Sequence, residues 1–206
     1  MAKKATVHIG TSGWHYAHWK GPFYPEDLPD REMLSFFLKT FKTVEINNSF
    51  YHLPAEKTVI NWRETVPADF VFAVKASRYI THRKKLKDPE RTTPKFFDRI
   101  KHLGDNLGPI LFHLPPRWKA NPERLAAVFK PLPKQYRYSF EFRDHSWFQD
   151  EIYDILARHS AAFCIYDFGT NEIPRQVTAD FVYIRFHGPG QKYSGLYTKQ
   201  MLKPWA

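Results

Sequence analysis

Short apolar or alternating runs recur along the chain, and β-branched and aromatic residues dominate them. Each run has the length of a typical strand. Successive side chains of a strand point to opposite faces of its sheet, so an alternating run has one apolar and one polar face. The pattern predicts seven strands, which lie at Val7–Thr11, Thr43–Asn48, Phe70–Lys75, Pro109–Leu114, Tyr138–Arg143, Phe163–Phe168 and Phe181–His187.

Helical patterns separate these runs. Asn121-Pro122-Glu123 has the form of a helix start, with a capping side chain followed by proline, and Thr93-Pro94 opens another helix that runs to Gly104. Apolar residues at helical spacing also cover Asp30–Phe41 and Asp150–Ser160. Strands that alternate with helices in this way predict βαβ units and a parallel sheet.

The alternation within the strands favours a closed barrel over an open sheet. Phe140 and Phe142 lie on one face of their strand, while Glu141 and Arg143 lie on the other. A strand of a (β/α) barrel turns one face to the helices and the other into the barrel, whereas an open doubly wound sheet has apolar residues on both faces. The sequence therefore predicts an α/β fold of the TIM-type (β/α) barrel class, with residues 1–206 as a single domain.

Composition places the protein among globular chains. It has 206 residues, of which 43% are hydrophobic, and this is enough to bury a sizeable core. The single cysteine, Cys164, excludes an internal disulfide and fits a reducing compartment. The N-terminus has no apolar signal-peptide region, and no apolar run approaches the roughly 18 residues of a membrane span. We therefore expect a cytoplasmic protein without a membrane partner.

Positive charge is concentrated in one part of the chain. The net charge is +10, and the stretch 75–101 holds ten Lys or Arg residues against three acids, a local excess of 10 − 3 = +7. Such an excess suits an anionic small molecule or a nucleic acid, although a solvated basic face is the alternative. The stretch begins at the end of the third predicted strand, and its candidate nucleic-acid-binding residues are Arg78, Arg83, Lys84, Lys85 and Lys87.

Polar residues end nearly every predicted strand, and in a barrel these ends converge on one mouth. The candidate catalytic residues there are Glu45, Glu141, Asp167 and His187. Candidate substrate-binding residues are Thr11, Ser12, Trp14, Asn47, Lys75, Arg143 and Arg185. The arginines suit a phosphate or carboxylate, and His187 suits proton transfer. Alternatively, these charges only satisfy one another inside the barrel.

A divalent metal is a further alternative, because four consecutive predicted strands end in suitable ligand types. These are His113, Glu141, Asp167 and His187. No close-spaced ligand motif supports this interpretation, and the nearby cations would repel a metal ion. The cofactor is therefore left undefined.

Several motifs, taken together, resemble one known family. They are Ile9-Gly10-Thr11-Ser12-Gly13-Trp14, Val44-Glu45-Ile46-Asn47, Gly108-Pro109-Ile110-Leu111-Phe112, Glu141-Phe142-Arg143 with Ser146-Trp147, and Tyr183-Ile184-Arg185-Phe186-His187-Gly188. From about residue 7 onward the chain is similar to the YecE-like domain of unknown function, DUF72. The resemblance implies a TIM-type barrel and supplies no activity.

The chain departs from the pattern of this family in two ways. His113 stands where the family usually has Gln, and the sequence ends at Lys203-Pro204-Trp205-Ala206, where family members continue into a last strand and helix. We therefore expect a barrel truncated at its C-terminal end, with the eighth strand missing. Its open strand edges would favour self-association.

Charges of both signs at a barrel mouth, beside a basic segment, predict an enzyme that acts on a phosphorylated or nucleic-acid substrate. Hydrolysis of a phosphodiester-type bond is the leading hypothesis. One alternative is a nucleic-acid-binding module without catalysis. Another is an enzyme for a sugar phosphate or carboxylate, such as an isomerase, because fold alone does not fix function.

Overall fold

The computed structural model describes residues 5–168, 173–190 and 193–205. Its strands form a sheet in chain order, and the pairs β1–β2, β2–β3, β3–β4, β5–β6 and β6–β7 are all parallel. This confirms the predicted α/β class, with the strand order of a TIM-type barrel and seven strands among the described residues. The strands are β1 (Thr11–Ser12), β2 (Thr43–Ile46), β3 (Val71–Lys75), β4 (Leu107–His113), β5 (Tyr138–Glu141), β6 (Ala162–Asp167) and β7 (Tyr183–Phe186).

Helices follow the strands. The α-helices are α1 (Met33–Phe37), α2 (Asn48–Tyr51), α3 (Glu56–Thr65), α4 (Pro89–Thr92), α5 (Pro94–Ile100), α6 (Pro122–Val128), α7 (Asp150–Arg158) and α8 (Lys199–Leu202). A π-helical turn covers Tyr79–Arg83, and 3-10 turns cover Ala17–Trp19, Asp30–Glu32, Lys101–Asn106, His145–Trp147 and Lys203–Trp205. In the part of the chain that the structure describes, no helix is both long and apolar enough to cross a membrane.

The helix starts follow the capping chemistry of the sequence. The Asn121 side chain accepts a hydrogen bond from the Arg124 backbone N–H at 2.8 Å, and Pro122 stands in the first turn, so the predicted start of α6 is confirmed. The helix predicted from residue 30 is shorter, because a 3-10 turn precedes α1. The sequence pattern missed α3 entirely, since Val59 is its only buried residue and no apolar stripe marks it.

Two strand predictions need correction. The first strand was placed at residues 7–11, but β1 covers only Thr11–Ser12, and Val7 and Ile9 are exposed. The register with β2 begins at Thr11, so the earlier residues have no paired neighbour. The outward face of β7 was expected to lie under helices, but Ile184 and Phe186 are both partly exposed. The helix after β7, α8, has only four residues, and Phe186 packs against the rings of Tyr197 and Trp205 instead of a long helix.

The chain divides into two compact units. The first comprises residues 1–111 with 131–136, and the second comprises residues 112–130 with 137–206. The core of the first unit contains the buried side chains of Phe37, Phe72 and Leu103. The prediction of a single domain over the whole chain stays a prediction.

Aromatic packing defines the core of the second unit. The Phe142 ring stacks on Trp147 with a centroid distance of 4.8 Å, and the Trp147 indole N–H donates to the Trp118 carbonyl at 2.6 Å. Phe140 and Phe163 are also buried, on the same side of the sheet as Phe142. The opposite side chains of β5 therefore point away from this aromatic layer, and Glu141 is among them.

Candidate active site

Glu141 is the centre of a charged cluster in the second unit. It is the last residue of β5, and its side chain is 0% exposed. The alternation that buries Phe140 and Phe142 among aromatic rings turns Glu141 to the other face. A fully buried carboxylate is costly unless cations and hydrogen bonds surround it.

Two arginines supply this compensation. Arg185 on β7 donates from Nη1 to Oε2 of Glu141 at 2.5 Å. Arg143, two residues after Glu141, forms an ion pair between its Nη2 and Oε1 of Glu141. Within the described residues, the buried Nε of Arg143 has no hydrogen-bond partner. Glu141 thus holds two guanidinium groups in place.

Two imidazoles complete the cluster. Nε2 of His113, at the end of β4, and Nε2 of His187, directly after β7, each lie 3.8 Å from Oε1 of Glu141. The sequence therefore brings together residues from three strand ends that are far apart along the chain. Every one of them was a candidate on sequence grounds, either as a site residue or as a metal ligand.

The surroundings fix the charge state of Glu141. Burial alone would raise its pKa, but Arg185, His113, Arg143 and His187 act in the opposite direction, and the net effect lowers the pKa below its ordinary value. Glu141 is therefore an ionised carboxylate at neutral pH. A carboxylate that is fully ionised and fully buried is suited to orienting its partners, not to giving up a proton.

Aromatic rings hold Arg143 in a defined plane. Its guanidinium carbon lies 4.3 Å from the centroid of the Tyr166 ring and 4.8 Å from that of Phe168. The Tyr166 hydroxyl donates to the Phe142 carbonyl at 2.7 Å, and burial raises the pKa of this hydroxyl. Tyr166 is thus a fixed neutral wall of the cluster. The sequence analysis did not single it out, although it shares a face of β6 with Cys164.

The contact between Arg143 and His187 defines a tautomer. Nη2 of Arg143 lies 2.9 Å from Nε2 of His187. A guanidinium has only donors, so Nε2 of His187 must be the acceptor, and the proton of the neutral imidazole is on Nδ1. His187 thereby helps to orient Arg143.

The cluster has more positive than negative charge. With both imidazoles neutral, two arginines and one carboxylate give +1, and each protonated imidazole adds to this. The most accessible members are His113, whose side chain is 17% exposed, and Arg143, at 12%. Glu141 lies below them. The arrangement is therefore that of a cationic site with its carboxylate at the base, and an anionic ligand would meet His113 and Arg143 first.

Asp167 is not part of this cluster. It ends β6 opposite Phe186 of β7, whereas its neighbour Tyr166 lies opposite Arg185. Because side chains alternate, Asp167 points to the other face of the sheet. There its side chain forms a hydrogen bond with Tyr197, whose pKa rises to about 12 through burial and then through this contact.

The remaining candidates lie in the first unit. Glu45 on β2 is buried and accepts a hydrogen bond from the Ser12 hydroxyl at 2.9 Å. The Thr11 hydroxyl donates to the Gly13 carbonyl at 2.7 Å. Trp14 is buried and packs edge-on against Trp62, so it belongs to the core of this unit.

Lys75 and Asn47 are half-buried at the ends of β3 and β2. Nζ of Lys75 lies 4.6 Å from the centroid of the Phe50 ring. His82 packs edge-on against the same ring at 5.0 Å, and its pKa falls to about 4 because of burial, Lys75 and Arg78. No sequence pattern singled out this histidine, although its place seven residues after Lys75 puts it in the turn that follows β3.

The candidate nucleic-acid-binding residues lie in the first unit, and Arg78 directly precedes the π-helical turn while the others lie on or after it. Arg78, Arg83, Lys85 and Lys87 are exposed, and Lys84 is half-buried. Among residues 5–168, 173–190 and 193–205, no group of three or more His, Cys, Asp or Glu side chains is arranged to hold a metal ion.

Comparisons with known proteins agree on one family. The profile of the family described as "Protein of unknown function DUF72" matches residues 8–206. The UPF0759 protein YunF of Bacillus subtilis is 25% identical over 232 residues, covering 97% of this chain and 81% of that protein. A crystal structure of a DUF72 family protein from Thermotoga maritima is 28% identical, with a TM-score of 0.83 over 98% of this chain and 85% of its own. One from Enterococcus faecalis, at 20% identity, shares the fold with a TM-score of 0.68 over 84% of this chain and 78% of its own.

Proposed function

The chain belongs to the DUF72 family of proteins of unknown function, and we propose that it is an enzyme that acts on a phosphorylated substrate by hydrolysing a phosphodiester-type bond. The observation that carries this proposal is the cluster around Glu141, where two arginines and two histidines surround one buried carboxylate. An excess of fixed donors at the carboxyl ends of parallel strands suits an anion whose charge increases in the transition state.

Arg143 would bind the phosphate. Its guanidinium edge carries an Nε without a partner among the described residues, while its faces are covered by Tyr166 and Phe168. Nη2 already contacts Glu141 and His187, so a phosphate oxygen would meet one of the other N–H groups of this charged side chain. Glu141 and Arg185 lie deeper, and we assign them to positioning this guanidinium.

His113 would transfer the proton. It is the most exposed member of the cluster, and its Nε2 lies 3.8 Å from the Glu141 carboxylate. In hydrolysis, a water oxygen bonds to phosphorus while its proton passes to the imidazole. The bond between phosphorus and the leaving oxygen then breaks, that oxygen takes up a proton from solvent, and the imidazolium returns its own proton to solvent. The ionised Glu141 would stabilise the imidazolium formed in between.

Glu45, Asp167 and the other candidates have no assigned step in this mechanism. Glu45 and Asp167 stay predicted catalytic residues, and Ser12 and Lys75 stay predicted substrate-binding residues. The proposed reaction depends only on residues of the second unit.

The direct test is hydrolysis of bis(p-nitrophenyl) phosphate, followed by the release of nitrophenolate, with EDTA or with added Mg²⁺, Mn²⁺ or Zn²⁺. Arg143→Lys keeps the charge and removes the planar guanidinium, so we expect its rate to fall about a hundredfold, as for the loss of one oriented donor. Arg117→Lys is the matched control, because Arg117 is exposed in the loop after β4 and its variant should keep the full rate.

The result also separates the alternative reactions. No hydrolysis of any phosphodiester, together with no thermal stabilisation by phosphate or phosphate esters, would contradict the proposal. Stabilisation by sugar phosphates without cleavage of a diester would keep the anion site and favour an isomerase-type reaction. Equal rates for Arg143→Lys and the native protein would exclude the assigned role of Arg143.

A further inference from the structure

Residues 78–87, which we name the basic turn, are a second feature that the proposed reaction does not use. The segment contains five Lys or Arg residues and no acid, a net charge of 5 − 0 = +5 within ten residues. It follows β3 in the first unit, where parallel strands of α/β folds present their functional loops. The nearest acids in the sequence are Asp88 and Glu90, directly after it.

The backbone of the basic turn is fixed from its inner side. The Lys84 N–H donates to the Tyr79 carbonyl at 2.9 Å, which is the five-residue spacing of a π-helix, and the Leu86 N–H donates to the Ile80 carbonyl at 3.0 Å. Ile80 and Leu86 are both buried. Short π-helical turns occur frequently at functional sites. The cations are therefore presented from an ordered backbone.

The outer side combines cations with one exposed aromatic ring. Tyr79 is 44% exposed, and Nζ of Lys84 lies 5.7 Å from the centroid of its ring. Arg78 and Arg83 are exposed on either side of it in the sequence. In the parts of the chain that the structure describes, neither arginine forms an ion pair with a carboxylate within 4 Å, nor does Lys84. The charges of Arg78, Arg83 and Lys84 are thus not neutralised by a carboxylate of the described residues.

We propose that the basic turn binds single-stranded nucleic acid, with its cations on successive phosphates and Tyr79 stacked against an unpaired base. Binding of phosphates alone would require only the cations, and a duplex hides the faces of its bases. A single strand exposes both phosphates and base faces, so it can contact the cations and the exposed ring at the same time. This inference goes beyond the proposed reaction and does not depend on it, because all its residues lie in the first unit.

The first experiment measures fluorescence anisotropy of a labelled oligothymidylate and of a labelled duplex over a salt series, with the full chain. Contact of all five cations with phosphates would give a log–log slope of about −3.5 for the single strand, at about 0.7 for each phosphate. Lys84→Glu combined with Lys85→Glu should reduce both affinity and slope. The control is Lys199→Glu with Lys203→Glu, which changes the net charge equally at exposed lysines of the second unit and should leave binding nearly unchanged.

The second experiment tests the ring. The free energy of stacking a base on an aromatic side chain corresponds to a loss of about 5- to 150-fold in affinity when the ring is removed. We expect that loss for Tyr79→Ala and native affinity for Tyr79→Phe, with unchanged far-UV circular dichroism in both. These variants leave the Glu141 cluster intact, so their hydrolysis of bis(p-nitrophenyl) phosphate should be native.

Three results would overturn the inference. One is the absence of binding at low salt. Another is equal affinity for single strand and duplex with no effect of Tyr79→Ala, which would reduce the surface to general electrostatic attraction. The third is stronger binding to vesicles containing phosphatidylserine than to oligonucleotides, which would assign the surface to anionic lipid. Failure of the nitrophenyl assay with intact oligonucleotide binding would affect only the proposed reaction.

Discussion

Replacing Glu141 by Gln isolates the charge of the buried carboxylate. The amide has nearly the same volume, so the aromatic layer of Phe140 and Phe142 keeps its packing. The substitution removes the negative charge that Arg185 and Arg143 contact, at a position where the side chain is 0% exposed. Breaking a buried pair by removing one partner leaves an uncompensated charge and typically costs about 3–5 kcal/mol.

That cost is large compared with the stability of a typical domain, about 5–15 kcal/mol. We therefore expect Glu141→Gln to fold at pH 7 with a much lower urea midpoint, measured by far-UV circular dichroism. Glu26→Gln is the control, because Glu26 is exposed and its loss of charge should change the free energy of unfolding by less than about 0.5 kcal/mol.

The same variant predicts a pH dependence. The pKa of Glu141 in the folded protein lies below its ordinary value of 4.5. The contribution of the carboxylate to stability is thus fully present above about pH 4.5 and is lost as the pH falls toward the pKa of the folded state. The difference in unfolding free energy between the native protein and Glu141→Gln should shrink over that interval. A loss below about 1 kcal/mol at pH 7, or a difference that stays constant into the acid range, would refute the argument that the buried charge stabilises the fold.

Three further predictions follow from other parts of the molecule. His82, whose pKa is lowered to about 4 by burial, Lys75 and Arg78, should show no imidazole titration by NMR between about pH 7 and 5. The contribution of neutral His82 to the free energy of unfolding is fully present above about pH 6.5 and declines as the pH falls toward 4. A titration midpoint near 6.5 would contradict this. Asn121→Ala should lower the unfolding free energy by about 1 kcal/mol through loss of the α6 cap, while Asn121→Asp, which keeps the acceptor, should lose little. The exposed apolar side chains of Val7 and Ile184 predict self-association that increases with protein concentration, which sedimentation velocity would detect. Lysine at both positions should suppress this self-association. A native protein that stays monomeric at high concentration would contradict the prediction.

Most of the fold could be predicted because each strand after the first has its own apolar or alternating run. The positions of β2 to β7 agree with the predicted runs to within a few residues. The start of β1 could not be predicted, since a run such as Val7–Thr11 has strand composition regardless of whether a neighbour pairs with it. The helix α3 was missed for the opposite reason, because it has one buried residue, Val59, and no clear apolar stripe.

The residues of the site could be predicted from the sequence, but the contacts between them could not. Alternation places Glu141 and Arg143 on one face of their strand, and this needed no structure. The depth of Glu141 and its bond to Arg185 depend on the register of β5, β6 and β7, which no local pattern specifies. Asp167 illustrates the same limit, because a strand end that is one residue longer turns its last side chain to the other face.

The pairing of Glu141 with Arg185 also bears on the order in which the second unit assembles. The two residues are 44 positions apart, with β6 between them, so the carboxylate is synthesised long before its main counter-ion. On the ribosome, a nascent chain that ends before β7 would already hold Glu141 next to Arg143. Full burial of the carboxylate would still be unfavourable there, because Arg185 is absent. Water must therefore remain around β5 until β7 is added, and the docking of β7 is the step that completes the cluster. We expect this docking to come late in folding, because the ion pair joins residues that are far apart along the chain.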